Sequence, residues 1–253
     1  MQVEKADTAK SSSSHSLNYM NFRRALSYGK IYVIITIALS VFYGSLLTVI
    51  LSTASARYSS TISSVTPIYS QIPALLLPLF AIIGSFGSLM VFVSDKDKGV
   101  YEYLIAYGTE PSSIFWSIVV AAIGLVSIVL VISVASSIAA QIIFGIPLTI
   151  TYVELISFYV LPISFSATAF GNMAGMIWSS LTKRRAGVNS PVGVAPFIGT
   201  VPILIVLVVS SFMRGEDFLI LVGSVSGALL VLVAVMIAST NKLMVRERFL
   251  SSE

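Results

Sequence analysis

Long apolar runs separated by short polar segments dominate this chain. Six of the runs are long enough to cross a hydrocarbon core of about 30 Å as helices, since an α-helix rises about 1.5 Å per residue. These runs cover residues 31–51, 71–93, 112–144, 153–178, 192–213 and 218–238. The pattern predicts an all-α, polytopic integral membrane protein with six transmembrane helices.

Two polar segments precede the first apolar run. Residues 1–16 are Ser-rich and lack apolar periodicity, which predicts a disordered cytoplasmic tail ahead of one membrane domain, 17–253. Residues 17–30 combine apolar positions on one side with interspersed cations. This pattern predicts an N-terminal interfacial helix whose cations meet anionic lipid headgroups, although a plain juxtamembrane anchor fits it equally well.

The charged segment, residues 94–113, has the densest polar pattern in the chain. Its apolar residues recur at i, i+3, i+4 and i+7, which predicts a short amphipathic helix lying on the membrane surface; they are Val100, Tyr103, Leu104 and Tyr107. A merely solvated connector is the alternative interpretation.

Local signals in the charged segment predict where its helix begins and ends. Ser94 or Asp95 can cap the N-terminus, and Asp95 and Asp97 suit the positive end of the helix dipole. Gly108 predicts the C-terminal stop, and Pro111 predicts that the next helix starts at once.

Composition and charge restrict the class of protein further. With 56% hydrophobic residues, 10% charged residues and a mean hydropathy of +0.95, the chain does not have the composition of a soluble globular protein. Six spans would place 13 of the 15 Lys and Arg on the side of the termini, with only Arg57 and Arg214 opposite. The positive-inside rule then predicts a cell-membrane protein with both termini cytoplasmic.

Several kinds of chemistry are missing from the sequence. Cysteine is absent and the single histidine, His15, lies in the predicted tail, so thiolate and histidine metal sites are not expected. No ionisable residue falls well inside a predicted span, which argues against proton-coupled transport and intramembrane proteolysis. Gln141 and Asn172 could contact a polar substrate, but interhelical hydrogen bonding is the better interpretation. No GxxxxGK[ST] phosphate loop occurs, so we expect no ATPase or other enzymatic activity on this chain.

The sequence VSDKDKGVYEYLIAYGTEPSSIFWS resembles the segment between the second and third spans of ABC transporter permeases of the type-2, exporter-like class. Gly99, Glu102 and Leu104 match the family pattern, and residues 109–113 match the turn that follows. Val100 and Tyr103 depart from it, at positions where Thr and Leu are common. The position after the second of six predicted spans, with cytoplasmic termini, agrees with the resemblance.

This resemblance implies a transport subunit that pairs with an identical or related permease in the lipid bilayer. Two cytoplasmic ATPase subunits would hold the ATP and Mg²⁺, so no cofactor is expected on this chain and no nucleic-acid partner. The charged segment would be the coupling helix that contacts the ATPase, and residues of 17–30 would form a connecting helix beside it. The coupling residues would be Asp97, Gly99, Glu102, Tyr103, Leu104, Tyr107 and Gly108, and those of the connecting helix Phe22, Arg23 and Arg24.

A second interpretation stays open at this point. The basic cytoplasmic face and the polar-poor spans also fit a non-transporting scaffold or channel subunit of a larger secretion or nucleic-acid-passage complex. Members of the permease family often carry short re-entrant helices before the sixth span, for which the short turn 214–217 leaves little room. An apolar lining favours lipids, hydrophobic drugs or amphipathic peptides over small ions as substrates.

Overall fold

The structure is a computed structural model that describes residues 2–47, 49, 76–145, 153, 156–181, 199–210 and 216–243, with side chains from residue 16 onward. Within these ranges the chain forms helices and short turns and no strand. We number the helices α1 (Gln2–Val41), α2 (Leu76–Asp97), α3 (Val100–Ala106), α4 (Pro111–Ile143), α5 (Leu161–Leu181), α6 (Val201–Ser210) and α7 (Glu216–Leu243). A π-helical turn, Phe42–Leu47, extends α1, and another, Ile156–Val160, precedes α5.

The predicted membrane character is confirmed for most of the chain. Five of the described helices are long and apolar enough to cross a membrane, over Ser16–Val41, Leu76–Asp97, Pro111–Ile143, Ile156–Ser179 and Gly223–Thr240. Of the predicted fifth span, 192–213, the structure describes only 199–210, which contains α6. The count of six spans therefore stays a prediction, and the all-α class is confirmed.

Helix α4 lies at the centre of the bundle and packs against α1, α2 and α5. It starts with Pro111 in its first turn, where the missing N–H costs no hydrogen bond, and it ends within one residue of its predicted end. Its 33 residues give a length of about 50 Å, well beyond a hydrocarbon core of about 30 Å. Such a helix tilts in the bilayer or extends past it, as the length of the apolar run predicts.

Helix α1 differs from the prediction in two ways. The backbone is helical from Gln2, in the segment for which the sequence predicts a disordered tail. It also continues without a break through 17–30 into the first span, so the structure contains no separate interfacial helix. Extending a formed helix costs far less than nucleating one, and residues 2–30 contain no proline that would interrupt it.

Glycine allows α1 and α2 to approach each other backbone to backbone. A Cβ on Gly87 would lie 2.3 Å from the carbonyl oxygen of Ala25 and 2.7 Å from the Cα of Gly29. Lipid offers no hydrophobic drive to bring helices together, so small residues that permit close van der Waals contact stabilise such a crossing. Gly87 and Gly29 are therefore the residues that permit the close approach of α1 and α2.

A buried polar cluster joins α2 to α5. The Ser88 hydroxyl lies 2.7 Å from Oδ1 of Asn172 and also 2.7 Å from the carbonyl oxygen of Ser85, the residue at which a turn interrupts α2. Nδ2 of Asn172 donates to the Thr168 carbonyl at 3.0 Å. The interhelical hydrogen bond predicted for Asn172 is therefore confirmed, while Gln141 is buried in α4.

The α1–α2 crossing generates a stability prediction. We expect Gly87→Ala to cost about 1–3 kcal/mol of unfolding free energy, because the new methyl group meets backbone atoms that cannot rotate away. Thermal unfolding of the purified protein, followed by size-exclusion chromatography, measures the shift in Tm. Gly223→Ala is the matched control, because a Cβ there meets no described atom within 4 Å. Equal Tm values for the two variants would contradict a tight crossing.

Candidate interaction site at the charged end of the bundle

Short turns with glycine at both ends hold α3 between α2 and α4. Gly99 precedes the helix with φ of 70°, and Gly108 follows it with φ of 86°, conformations that favour glycine. The N–H of Gly108 bonds the Ile105 carbonyl and that of Thr109 bonds the Leu104 carbonyl, which is the Schellman pattern of helix ends. The C-terminal stop predicted at Gly108 is confirmed, and α4 begins three residues later.

The predicted N-terminal cap of α3 is wrong. Ser94 and Asp95 belong to the last turns of α2, and Gly99 is the residue that precedes α3. Asp95 and Asp97 therefore lie at the C-terminal end of α2, where the helix dipole disfavours negative charge. A cation from elsewhere in the chain has to compensate for Asp95, whose side chain is 1% exposed.

Arg24 of α1 supplies that cation. Its Nη1 donates to Oδ2 of Asp95 at 2.6 Å, and its Nη2 donates to Oδ1 of the same carboxylate. Two parallel charge-assisted hydrogen bonds of this kind fix the orientation of both groups as well as their separation. The pair therefore fastens the end of α2 to α1, across 71 residues of sequence.

The two lysines that follow in the sequence extend this network in different directions. Nζ of the half-buried Lys96 donates to the carbonyl oxygen of Ser179, in the last turns of α5. Carbonyls at a helix C-terminus lack intrahelical partners, so a cation is favourable there. Nζ of Lys98 lies 3.4 Å from the Tyr28 hydroxyl on α1. The charged end of α2 is thus connected to both α1 and α5.

The residues of α3 that the bundle buries are different from the apolar face that the sequence predicts to lie on the membrane surface. Tyr101 and Ile105 are the buried residues of this helix, and the Tyr101 ring lies 5.3 Å from the Phe92 ring, centroid to centroid. Tyr103 and Tyr107 instead expose 64% and 73% of their surface. Their rings are 4.5 Å apart, and the Tyr103 hydroxyl donates to that of Tyr107 at 3.1 Å. We call these two side chains the tyrosine pair.

The structure brings the seven predicted coupling residues together on and around α3. Asp97 and Gly108 are exposed like the tyrosine pair, whereas Glu102 and Leu104 are half-buried. Leu104 packs against the hydrophobic core, so it contributes to holding α3 in place. Gly99 forms the turn between α2 and α3.

The three residues predicted for the connecting helix face three different environments. The Phe22 ring fills the space beside Gly124 of α4, where a Cβ would lie 2.9 Å from its Cε2 atom. Arg24 binds Asp95, and Arg23 is exposed. One turn earlier, Nδ2 of Asn21 donates to the Ser117 hydroxyl of α4 at 2.6 Å.

The pKa values of tyrosines on both faces of α3 are raised, but for different reasons. Burial raises the pKa of the Tyr101 phenol well above its usual value of 10.0, and the nearby Asp95 carboxylate adds to the rise. The hydrogen bond that Tyr103 donates to Tyr107 raises the pKa of Tyr103. Both phenols are therefore neutral hydrogen-bonding groups at physiological pH.

The charged groups of this region are largely engaged with one another, and its exposed surface is aromatic. Among the described residues no group of three His, Cys, Asp or Glu side chains could hold a metal ion. Asp95 is occupied by Arg24, and Lys96 by a backbone carbonyl. The exposed surface of α3 offers an aromatic pair, and aromatic residues are enriched in protein interfaces.

Sequence reasoning did not identify the residues that anchor this site. The sequence predicts Asp95 as a helix cap and makes no prediction for Tyr28, Lys96 or Ser179. One signal is present in the sequence, namely an acidic residue two positions after an apolar run in a membrane protein, where a buried charge requires a partner. Comparison of the chain with protein-family models, curated proteins and solved structures finds no match.

The Arg24–Asp95 pair generates a second stability prediction. Arg24→Gln leaves the Asp95 carboxylate buried without its cation. Breaking a buried ion pair costs about 3–5 kcal/mol of unfolding free energy, and we expect a value near the low end because Arg24 is partly exposed. The double variant Arg24→Gln/Asp95→Asn removes both charges and should recover part of that loss. Chemical unfolding in detergent measures both, with Arg23→Gln as the control. A double variant that is less stable than Arg24→Gln would contradict the pairing.

The raised pKa of Tyr101 generates a pH prediction. Below the ordinary tyrosine pKa of 10.0 the phenol is neutral in both folded and unfolded chains. Above it only the unfolded chain loses the proton readily, so the unfolding free energy should fall by up to about 1.4 kcal/mol per pH unit. Tyr101→Phe should lack this component when Tm is measured between about pH 9 and 11. Tyr19→Phe, at an exposed position, is the control. If Tm falls equally with rising pH in the wild type and in Tyr101→Phe, another group is responsible for the alkaline loss of stability.

Proposed function

We propose that this chain is the membrane-spanning permease subunit of an ATP-driven ABC transporter of the exporter-like class. It would couple nucleotide-driven closure of a partner ATPase to substrate passage at an interface with a second permease subunit. The observation that supports this proposal best is the placement of α3, which is fastened to the bundle on one face and exposes the tyrosine pair on the other.

The inner face of α3 packs this helix against the rest of the bundle. Tyr101 and Ile105 are buried in the same hydrophobic core as Phe92, and Leu104 packs against it. The preceding turns of α2 are held to α1 through Arg24 and to α5 through the Ser179 carbonyl. A force applied to α3 from outside would therefore reach three helices of the bundle.

The outer face of α3 provides a surface for a partner. Tyrosine offers a large, stiff contact area with a polar tip, and tyrosines are enriched among the residues that dominate binding energy at interfaces. Exposed charges of both signs flank α3 in the sequence, at Asp97, Lys98 and Glu110. A cytoplasmic ATPase with an aromatic-lined or apolar groove would fit this surface.

The link between α3 and α4 is short enough to transmit motion. Ala106 ends α3 and Pro111 begins α4, with Gly108 and Thr109 held by backbone hydrogen bonds to α3. Because α4 is the most central helix of the bundle, a rotation of α3 would move the core. A short, stiff link of this kind is what a coupling element needs, since slack would absorb the displacement of the ATPase.

Co-purification with an ATPase tests the proposal. The chain is extracted from its native membrane in mild detergent, and mass spectrometry identifies co-purifying proteins that carry a GxxxxGK[ST] loop. We expect such a protein with the wild type, and a loss of about 30-fold or more for Tyr103→Ala/Tyr107→Ala, in line with the effect of interface hot spots. Vanadate-sensitive ATP hydrolysis should fall in parallel.

The control for this experiment uses two aromatic side chains that are equally exposed but lie elsewhere in the chain. Phe144 follows α4 and Phe158 precedes α5, and they expose 62% and 76% of their surface. Phe144→Ala/Phe158→Ala should keep the ATPase bound. If no such ATPase accompanies the wild type and nucleotide leaves its behaviour unchanged, the scaffold or channel interpretation replaces the permease one.

A further inference from the structure

A shallow groove with a volume of about 370 Å³ follows one exposed side of α1, on the turns next to the Arg24–Asp95 pair. We call it the α1 groove, and its lining residues are Arg23, Leu26, Ser27, Lys30, Val33 and Ile34. The two cations and the hydroxyl share this side because they are spaced at i, i+4 and i+7. The residues beyond Lys30 are apolar.

The two cations of the α1 groove differ from the other basic residues at this end of the bundle. Arg24 binds Asp95, and Lys96 binds the Ser179 carbonyl. Within the described part of the chain, Arg23 and Lys30 take part in no ion pair or hydrogen bond and are exposed. Their positive charge is therefore available to a ligand from outside the chain.

The length of the groove corresponds to one leaflet of a bilayer. From Arg23 to Ile34 helix α1 advances by about 16 Å, about half of a hydrocarbon core of about 30 Å. The groove lies on Ser16–Val41, one of the helices that are long and apolar enough to cross a membrane. Arg23 is next to Arg24, which binds Asp95 at the charged end, whereas Lys30, Val33 and Ile34 follow further along the same helix.

We propose that the α1 groove binds one anionic phospholipid. The phosphate would lie between Arg23 and Lys30 and accept a hydrogen bond from the Ser27 hydroxyl, and an acyl chain would run along Val33 and Ile34. A zwitterionic choline headgroup carries its own cation and would be disfavoured beside these two side chains. This assignment rests on the groove and its charges and does not depend on the proposed transport function.

Native mass spectrometry of the full chain tests the proposal. The detergent-purified protein is titrated with phosphatidylglycerol or with phosphatidylcholine of identical acyl chains. We expect one saturable phosphatidylglycerol adduct on the wild type and weak retention of phosphatidylcholine. Lys30→Gln should weaken the adduct about fivefold, and Arg23→Gln/Lys30→Gln about 25-fold, as expected from the contribution of each cation near an anionic surface.

Two controls separate a defined site from general attraction to positive charge. Lys98→Gln removes an exposed lysine from the same end of the bundle but outside the groove, and should leave the adduct unchanged. Ser27→Trp keeps both cations but fills the groove at an exposed position, and should abolish the adduct. Equal losses for Lys30→Gln and Lys98→Gln, or equal retention of the two lipids, would overturn the proposal. So would a dimer that Arg23→Gln/Lys30→Gln dissociates in the absence of lipid, since the occupant would then be a second copy of the chain.

Discussion

A carboxylate with 1% exposure at the end of a membrane helix is stable only with a cation beside it, and this requirement organises the charged end of the bundle. The bidentate bond to Arg24 sets the height of α1 relative to α2, because a guanidinium and a carboxylate meet in few geometries. One turn further along α1, Gly29 meets Gly87 at backbone distance. Polar pairing thus fixes the register of two helices whose close approach is permitted by glycine.

At the charged end of the bundle, α3 packs into the core on one face and is exposed on the other. Tyr101 is held in the core, whereas Tyr103 and Tyr107, two and six positions later, expose most of their surface. The tyrosine pair contributes little hydrophobic free energy to folding, since its apolar area remains exposed. A contact with a partner would cover it, which is why α3 is the element on which the transport proposal depends.

The sequence predicts those features that neighbouring residues determine, and it fails for those that depend on residues far away along the chain. The ends of α3 and α4 follow from Gly108 and Pro111, because left-handed glycine and first-turn proline act within a few residues. The inward face of α3 could not be predicted, since Tyr103 and Tyr101 are equally apolar and only packing against Phe92 distinguishes them. The partner of Asp95 lies 71 residues away, and no local signal identifies it.

The Ser88 hydroxyl carries one proton but lies 2.7 Å from two oxygens. The Ser85 carbonyl already accepts the backbone N–H of Ser88 at 3.0 Å, whereas within the described helices Oδ1 of Asn172 has this hydroxyl as its donor. The Ser88 hydroxyl is shared between a carbonyl of its own helix and the Asn172 side chain of α5. Position 88 must supply a donor in a space closed to solvent, which alanine cannot do and which threonine could do only with an added methyl group. Serine thus meets two requirements of this position at once, a hydroxyl donor and a small volume.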